Sequence, residues 1–129
     1  MNKNVFNLRK RENVTKVVPN SDSTFVCLIL NNNSLEIHKL DSDKLLRVSF
    51  DLKFESQVID VDFSSPLYQP KLAVVTYEGD VFVYDINNKE KEFEYKLTQI
   101  DLGTPTVVKF NMDGDQLGLL TGTSLGHLF

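Results

Sequence analysis

Apolar and polar residues alternate over short stretches of this chain, and Asn, Asp, Gly and Pro separate the stretches. That is the pattern of half-buried β-strands joined by tight turns. Val58-Ile59-Asp60-Val61-Asp62-Phe63 and Val81-Phe82-Val83-Tyr84 combine the period of two with β-branched and aromatic side chains, which suit a pleated surface. No segment carries a sustained helical stripe. The charged run Asn87-Asn88-Lys89-Glu90-Lys91-Glu92 has no apolar face for a helix to bury, so it reads as a solvated hairpin connection leading to a strand near Phe93. The pattern predicts an all-β chain with strands over 4–9, 14–18, 24–30, 34–40, 45–53, 57–63, 71–77, 80–86, 92–101, 106–110 and 116–123. Inward alternation predicts that Val17, Val26, Leu28, Ile37, Val61, Phe63, Val74, Val81, Val83, Val108, Phe110 and Leu119 are buried.

Turn chemistry agrees with these boundaries. Asn31-Asn32-Asn33-Ser34 separates two apolar stretches, and Asn tolerates the left-handed backbone that a tight hairpin requires. Gly79, in Glu78-Gly79-Asp80, supplies the same conformation without a steric penalty. Asn111-Met112-Asp113-Gly114-Asp115 predicts a third turn after Val107-Val108-Lys109-Phe110.

The stretches recur. Phe6-Asn7-Leu8-Arg9 lies on Phe50-Asp51-Leu52-Lys53 at an offset of 50 − 6 = 44, which also places Val14 on Val58 and Val17 on Val61. Val61-Asp62-Phe63-Ser64 lies on Val108-Lys109-Phe110-Asn111 at 108 − 61 = 47, which places Gly79 on Gly126, Val81 on Leu128 and Phe82 on Phe129. Leu35-Glu36-Ile37-His38 lies on Val81-Phe82-Val83-Tyr84 at 81 − 35 = 46. Four short strands per period in the mid-forties is the size of a propeller blade. A closed β-sandwich or small barrel of about ten strands is the alternative reading of the same strands.

Thr76-Tyr77-Glu78-Gly79-Asp80-Val81-Phe82-Val83-Tyr84-Asp85 resembles a repeat of the WD-repeat β-propellers: a small residue, an acidic-Gly turn, an alternating strand and a closing aromatic-Asp pair. Phe110 to Leu117 is similar to that family's Asp-Gly turn between the first two strands of a blade. Trp is absent, and His38-Lys39 stands in the first repeat where Tyr84-Asp85 stands in the second. The resemblance implies a partial propeller of four-stranded antiparallel blades over 1–129, with repeat units near 4–40, 45–86 and 92–129, each opened by the outer strand of the preceding blade. Phe129 aligns in mid-strand with Phe82, so the last unit is expected to be incomplete. The remainder of the ring is expected from a longer chain or from another chain. The resemblance also implies a non-catalytic scaffold or assembly subunit that binds other proteins, with a propeller supporting an RNA-processing or RNA-modifying enzyme as the alternative.

Composition narrows the chemistry. The formal charge is 14 − 18 = −4 with no long run of either sign, which gives no general electrostatic footprint for nucleic acid or anionic membrane. The longest apolar run, Phe25 to Leu30, is too short for a membrane-spanning helix, and the first residues lack the apolar core of a secretory signal. A cytoplasmic or nuclear location is expected. A single Cys, Cys27, closes no internal disulfide and sits in an apolar stretch, where inert packing is its expected role. His38 and His127 lack metal-ligand spacing, and Asp113-Gly114-Asp115 lacks the later ligands of a calcium loop. Gly118, Gly122 and Gly126 lack the Lys-Ser/Thr ending of a phosphate loop, and Asp60, Asp62 and Asp85 are explained by strand alternation and repeat position. No catalytic residue, cofactor or metal is therefore expected. Arg9-Lys10-Arg11 is the one compact basic cluster and the candidate contact for a phosphate or an acidic partner.

Overall fold

The structure, a computed structural model, describes residues 14–40, 46–65, 69–96, 104–113 and 116–123. The strand expected over 4–9 and the basic cluster Arg9-Lys10-Arg11 lie outside the described residues, as do 97–101, Gly114-Asp115, Gly126 and His127. Ten strands are described: β1 (Val14–Pro19), β2 (Phe25–Leu30), β3 (Ser34–Leu40), β4 (Leu46–Lys53), β5 (Val58–Phe63), β6 (Lys71–Thr76), β7 (Asp80–Asp85), β8 (Glu90–Lys96), β9 (Pro105–Asp113) and β10 (Gln116–Thr123). They form two four-stranded antiparallel sheets, β1-β2-β3-β4 and β5-β6-β7-β8, and a third pair, β9-β10. Each four-stranded sheet takes its last strand from the stretch that opens the next sequence unit.

The period seen in the sequence is also written into the irregularities of the ladders. Thr15, Ile59 and Thr106 are each left unpaired where the first strand of a sheet bulges against the second. Their spacings, 59 − 15 = 44 and 106 − 59 = 47, are the two offsets of the sequence repeat. A second bulge recurs between third and fourth strands, after Ile37 in one sheet and after Val83 in the next. Bulges sharpen local twist, so the same bend falls at the same place in successive sheets.

Turn geometry follows the residues. Asn33 (φ 65°) and Gly79 (φ 94°) adopt the left-handed backbone at the two corresponding hairpins. Two boundaries differ from expectation. The charged run enters the ladder at Glu90, opposite Asp85, so that only 86–89 form the connection; Lys89 takes φ 58° there and Ile86 folds into the core. Strand β9 continues through Asn111, Met112 and Asp113, which pair with Gly118, Leu117 and Gln116. Ladder pairing carries polar residues as readily as apolar ones, which is why composition placed the start of β8 too late and the end of β9 too early.

Two apolar clusters hold the sheets together. The first joins Cys27, Ile29, Leu35 and Ile37 of the first sheet to Val61, Leu72, Val74, Phe82 and Tyr84 of the second, with Phe54, Val58 and Ile86. The second joins Ala73, Val75 and Val81 on the opposite side of the second sheet to Val108. Strands β2 and β6 are therefore buried on both faces, and alternation, which assumes one wet face, missed Ile29, Leu72, Ala73 and Val75, while Cys27 is packed in the core as expected. Val26, Leu28, Ile37, Val61, Val74, Val81 and Val108 are buried as expected. Val17, Phe63, Val83, Phe110 and Leu119 are only half-buried, because each lies on a strand or strand end that stacking covers on one side.

Adjacent sheets are stitched along their first strands. Asp60 of β5 accepts the Lys16 ammonium of β1 at 2.9 Å on one oxygen and the Val108 N–H of β9 at 3.0 Å on the other. Asp62 accepts the Phe110 N–H at 2.7 Å. Burial pushes the Asp62 carboxyl above its ordinary value, opposed by the Phe110 N–H and by Lys109 at 3.9 Å.

Two outcomes follow from this packing. Ile37→Ala, which empties a fully buried position, is expected to destabilise the fold by about 2–5 kcal/mol in urea titrations. Asp62 binds its proton more tightly when folded than when unfolded, so its contribution favours folding at low pH and is lost as pH rises through its folded-state value. Asp62→Asn keeps an acceptor for the Phe110 N–H and removes that slope. The urea midpoint of the variant relative to the parent is expected to rise as pH increases through the carboxylate range.

Candidate interaction rim

The singled-out side chains that lie among the described residues, Cys27, His38, Asp60, Asp62 and Asp85, are engaged in holding the fold. Cys27 is fully buried on β2, and burial pushes its thiol far above its ordinary value, which leaves it protonated and inert. The His38 Nε2 lies 3.0 Å from Glu36 Oε1 on the same strand. Asp85 is buried at the end of β7, where it accepts the Asn88 N–H at 3.1 Å, the Asn88 amide at 3.3 Å and the Gln69 amide, so it caps the turn that follows. Asp60 and Asp62 hold β9 and β1 as described. Among the described residues, no group of three or more His, Cys, Asp or Glu side chains could hold a metal ion.

Three connections at one end of the sheets form a fixed rim. They are 31–33 between β2 and β3, 54–57 between β4 and β5, and 77–79 between β6 and β7. The first two are joined by the Phe54 N–H donating to the Asn33 carbonyl at 2.8 Å. The last two are joined by the Tyr77 N–H donating to the Gln57 carbonyl at 2.8 Å and the Glu78 N–H donating to Ser56 Oγ at 3.2 Å. Thr76 closes the third connection, its carbonyl accepting the Gly79 N–H at 3.0 Å and its hydroxyl the Asp80 N–H at 3.1 Å. Below the rim, Phe54 packs on Phe82 with ring centroids 5.2 Å apart and meets Tyr84 edge-on at 6.3 Å.

This backbone presents Tyr77 to solvent at 59% exposure. Exposed Glu55 and Glu78 lie on the same connections. The first sheet separately carries a groove of about 540 Å³ lined by Leu30, Asn32, Ser34, Glu36, Asp51, Leu52 and Lys53. The connections carry the acidic side chains of Glu55 and Glu78. The arrangement offers an aromatic anchor, amide and hydroxyl groups, and negative charge: the equipment of a recognition surface. The sequence did not single out Tyr77. The available signal was a bulky aromatic placed inside a turn, immediately before Glu78-Gly79, where burial in a strand does not account for it.

No protein-family model and no curated protein matches the sequence. Solved structures do match. The crystal structures of BBS1N in complex with ARL6DN, one soaked with mercury and one with lead, each superpose with a TM-score of 0.64 at 16% identity. Each match covers 89% of this chain and 32% of that chain, so the chain spans about a third of the length of the structures it resembles. The fold is that of a β-propeller. Its four-stranded sheets are blades, with β1, β5 and β9 as successive first strands.

The rim is held by backbone bonds that do not involve the Tyr77 ring. Tyr77→Ala is therefore expected to shift the unfolding midpoint little, by about 0.5 kcal/mol or less in urea titration.

Proposed function

We propose that this chain is a non-catalytic protein-interaction platform that binds a partner protein through the rim of its blades. The observation that carries the reading is Tyr77, an exposed aromatic on a hydrogen-bonded acidic rim. Aromatic anchors on preorganised backbone give affinity at a low entropic cost. A rim carrying Glu55 and Glu78 beside Tyr77 disfavours phosphate backbones and favours a basic partner surface. The likeness to BBS1N, a propeller solved in complex with ARL6DN, supports a docking role. The blades are of the WD-repeat kind in this reading, with units near 4–40, 45–86 and 92–129, supported by the Thr76-to-Asp85 motif and the buried Tyr84-Asp85 pair. The location is cytoplasmic or nuclear, where a chain with one buried free Cys needs no oxidising compartment.

Co-purification from cell extract tests the proposal. Tyr77→Ala and Glu78→Lys are each expected to lower partner affinity by tenfold or more, roughly 1.4 kcal/mol, without loss of fold. Filter binding to a single-stranded RNA oligonucleotide provides the contrast. RNA affinity that falls steeply with salt and is weakened by Arg9→Ala, Lys10→Ala or Arg11→Ala would replace the protein-docking reading with the RNA one.

A further inference from the structure

Along the blades, carboxylates are matched to lysines of the same chain. Lys16 bonds Asp60 at 2.9 Å, Lys91 bonds Glu94 at 2.6 Å, Lys96 bonds Asp80 at 3.2 Å, and Lys71 pairs with Glu92. The rim departs from this pattern. Connections 31–33, 54–57 and 77–79 contain no Lys, Arg or His. Their two carboxylates, Glu55 and Glu78, are exposed and make no ion pair among the described residues. The Tyr77 ring likewise makes no aromatic or cation contact among the described residues.

The second blade shows how such groups are used when a cation is at hand. The Lys91 ammonium lies 5.4 Å from the Phe82 ring centroid while it bonds the Glu94 carboxylate. One cation thus serves an aromatic face and a carboxylate together. The rim holds the same two kinds of group on backbone that is already tied down. Glu78 follows Tyr77 directly, and Glu55 adjoins Ser56, whose hydroxyl accepts the Glu78 N–H at 3.2 Å. Only the cation is missing from the set.

We propose that an arginine side chain of the partner protein supplies it, with its guanidinium laid on the Tyr77 ring between the carboxylates of Glu55 and Glu78. This assignment rests on docking at the rim as proposed above and names the anchor of that contact. Arginine suits the place better than lysine. Its planar head stacks on an aromatic face, its donor fork matches a carboxylate, and its weaker hydration makes it easier to bring against a ring. Two carboxylates without a cation of their own add attraction for a basic side chain and exclude an acidic one.

Nuclear magnetic resonance titration of the isotope-labelled protein with the tripeptide acetyl-Gly-Arg-Gly-amide, at millimolar concentration, tests the anchor. The peptide is expected to shift the amide signals of Tyr77, Glu78 and Ser56. Its citrulline counterpart, the same shape without the charge, is expected to leave them in place, and its lysine counterpart to bind several-fold more weakly. Tyr77→Leu is expected to abolish the response and Glu78→Gln to weaken it several-fold, with the rest of the spectrum unchanged. Equal shifts from citrulline and arginine would overturn the proposal, as would a response that survives Tyr77→Leu. Silence toward arginine would also overturn it; if Tyr77→Ala still lowers partner recovery from cell extract, docking at the rim stands with a different anchor. An arginine response in a protein whose partner recovery ignores Tyr77→Ala overturns docking at the rim, and the assignment to a partner falls with it.

Discussion

The structure depends on a constraint set by strand β6. Leu72 and Val74 point into one apolar cluster and Ala73 and Val75 into the other, and all four are fully buried. A strand with two apolar faces cannot belong to a sheet that has one side in water. Burying a Val or Leu side chain is worth about 1.5–3 kcal/mol, so leaving either face open would forgo several kcal/mol on this strand alone. A neighbouring sheet is therefore required on each side. This separates the observed stack from a two-layer sandwich, in which each sheet keeps a solvated face.

Stacking leaves one problem, because the first strands of neighbouring blades lie beside each other without a ladder between them. Val108 and Phe110 are on β9, whose strand partner is β10, and their N–H groups turn toward β5. Asp60 and Asp62 supply the acceptors. The cost of burying the Asp60 carboxylate is offset by the Lys16 ammonium and the Val108 N–H together. The two aspartates thus set the register of one blade against the next. Carboxylates committed to backbone N–H groups in this way are positioned by the fold and serve it, and the alternation that places them is the one visible in Val58 to Phe63.

How much of this was legible follows from the range of each interaction. Asn33 and Gly79 were readable because the backbone of a tight turn depends on its own residues. The blades were readable because a bulge at Thr15, Ile59 and Thr106 sits at the offsets where the residues themselves recur. The burial of Ile29, Leu72 and Ala73 was not, since it depends on a second sheet and not on the strand they occupy. The bond from Asp60 to Val108 joins residues 48 apart, and nothing local to either announces it. Charge density drew attention to Arg9-Lys10-Arg11, whereas the rim's exposed aromatic was marked only by its place in a turn before Glu78-Gly79. Tyr77 becomes visible only when its neighbours are seen to be tied in place.

The two exposed aromatic surfaces differ in physical character. Phe93 and Tyr95 continue the face that packs on Val108, Phe110 and Leu119, so whatever covers them gains apolar burial. Such contacts resemble a protein interior and are made once, during folding. Tyr77 stands among carboxylates, amides and hydroxyls on connections whose backbone bonds are already made. A partner there gains one aromatic contact and a ring of screened polar ones, the composition of a contact that forms and releases. Under the proposed docking role, the rim is, of the two, the part left free to bind.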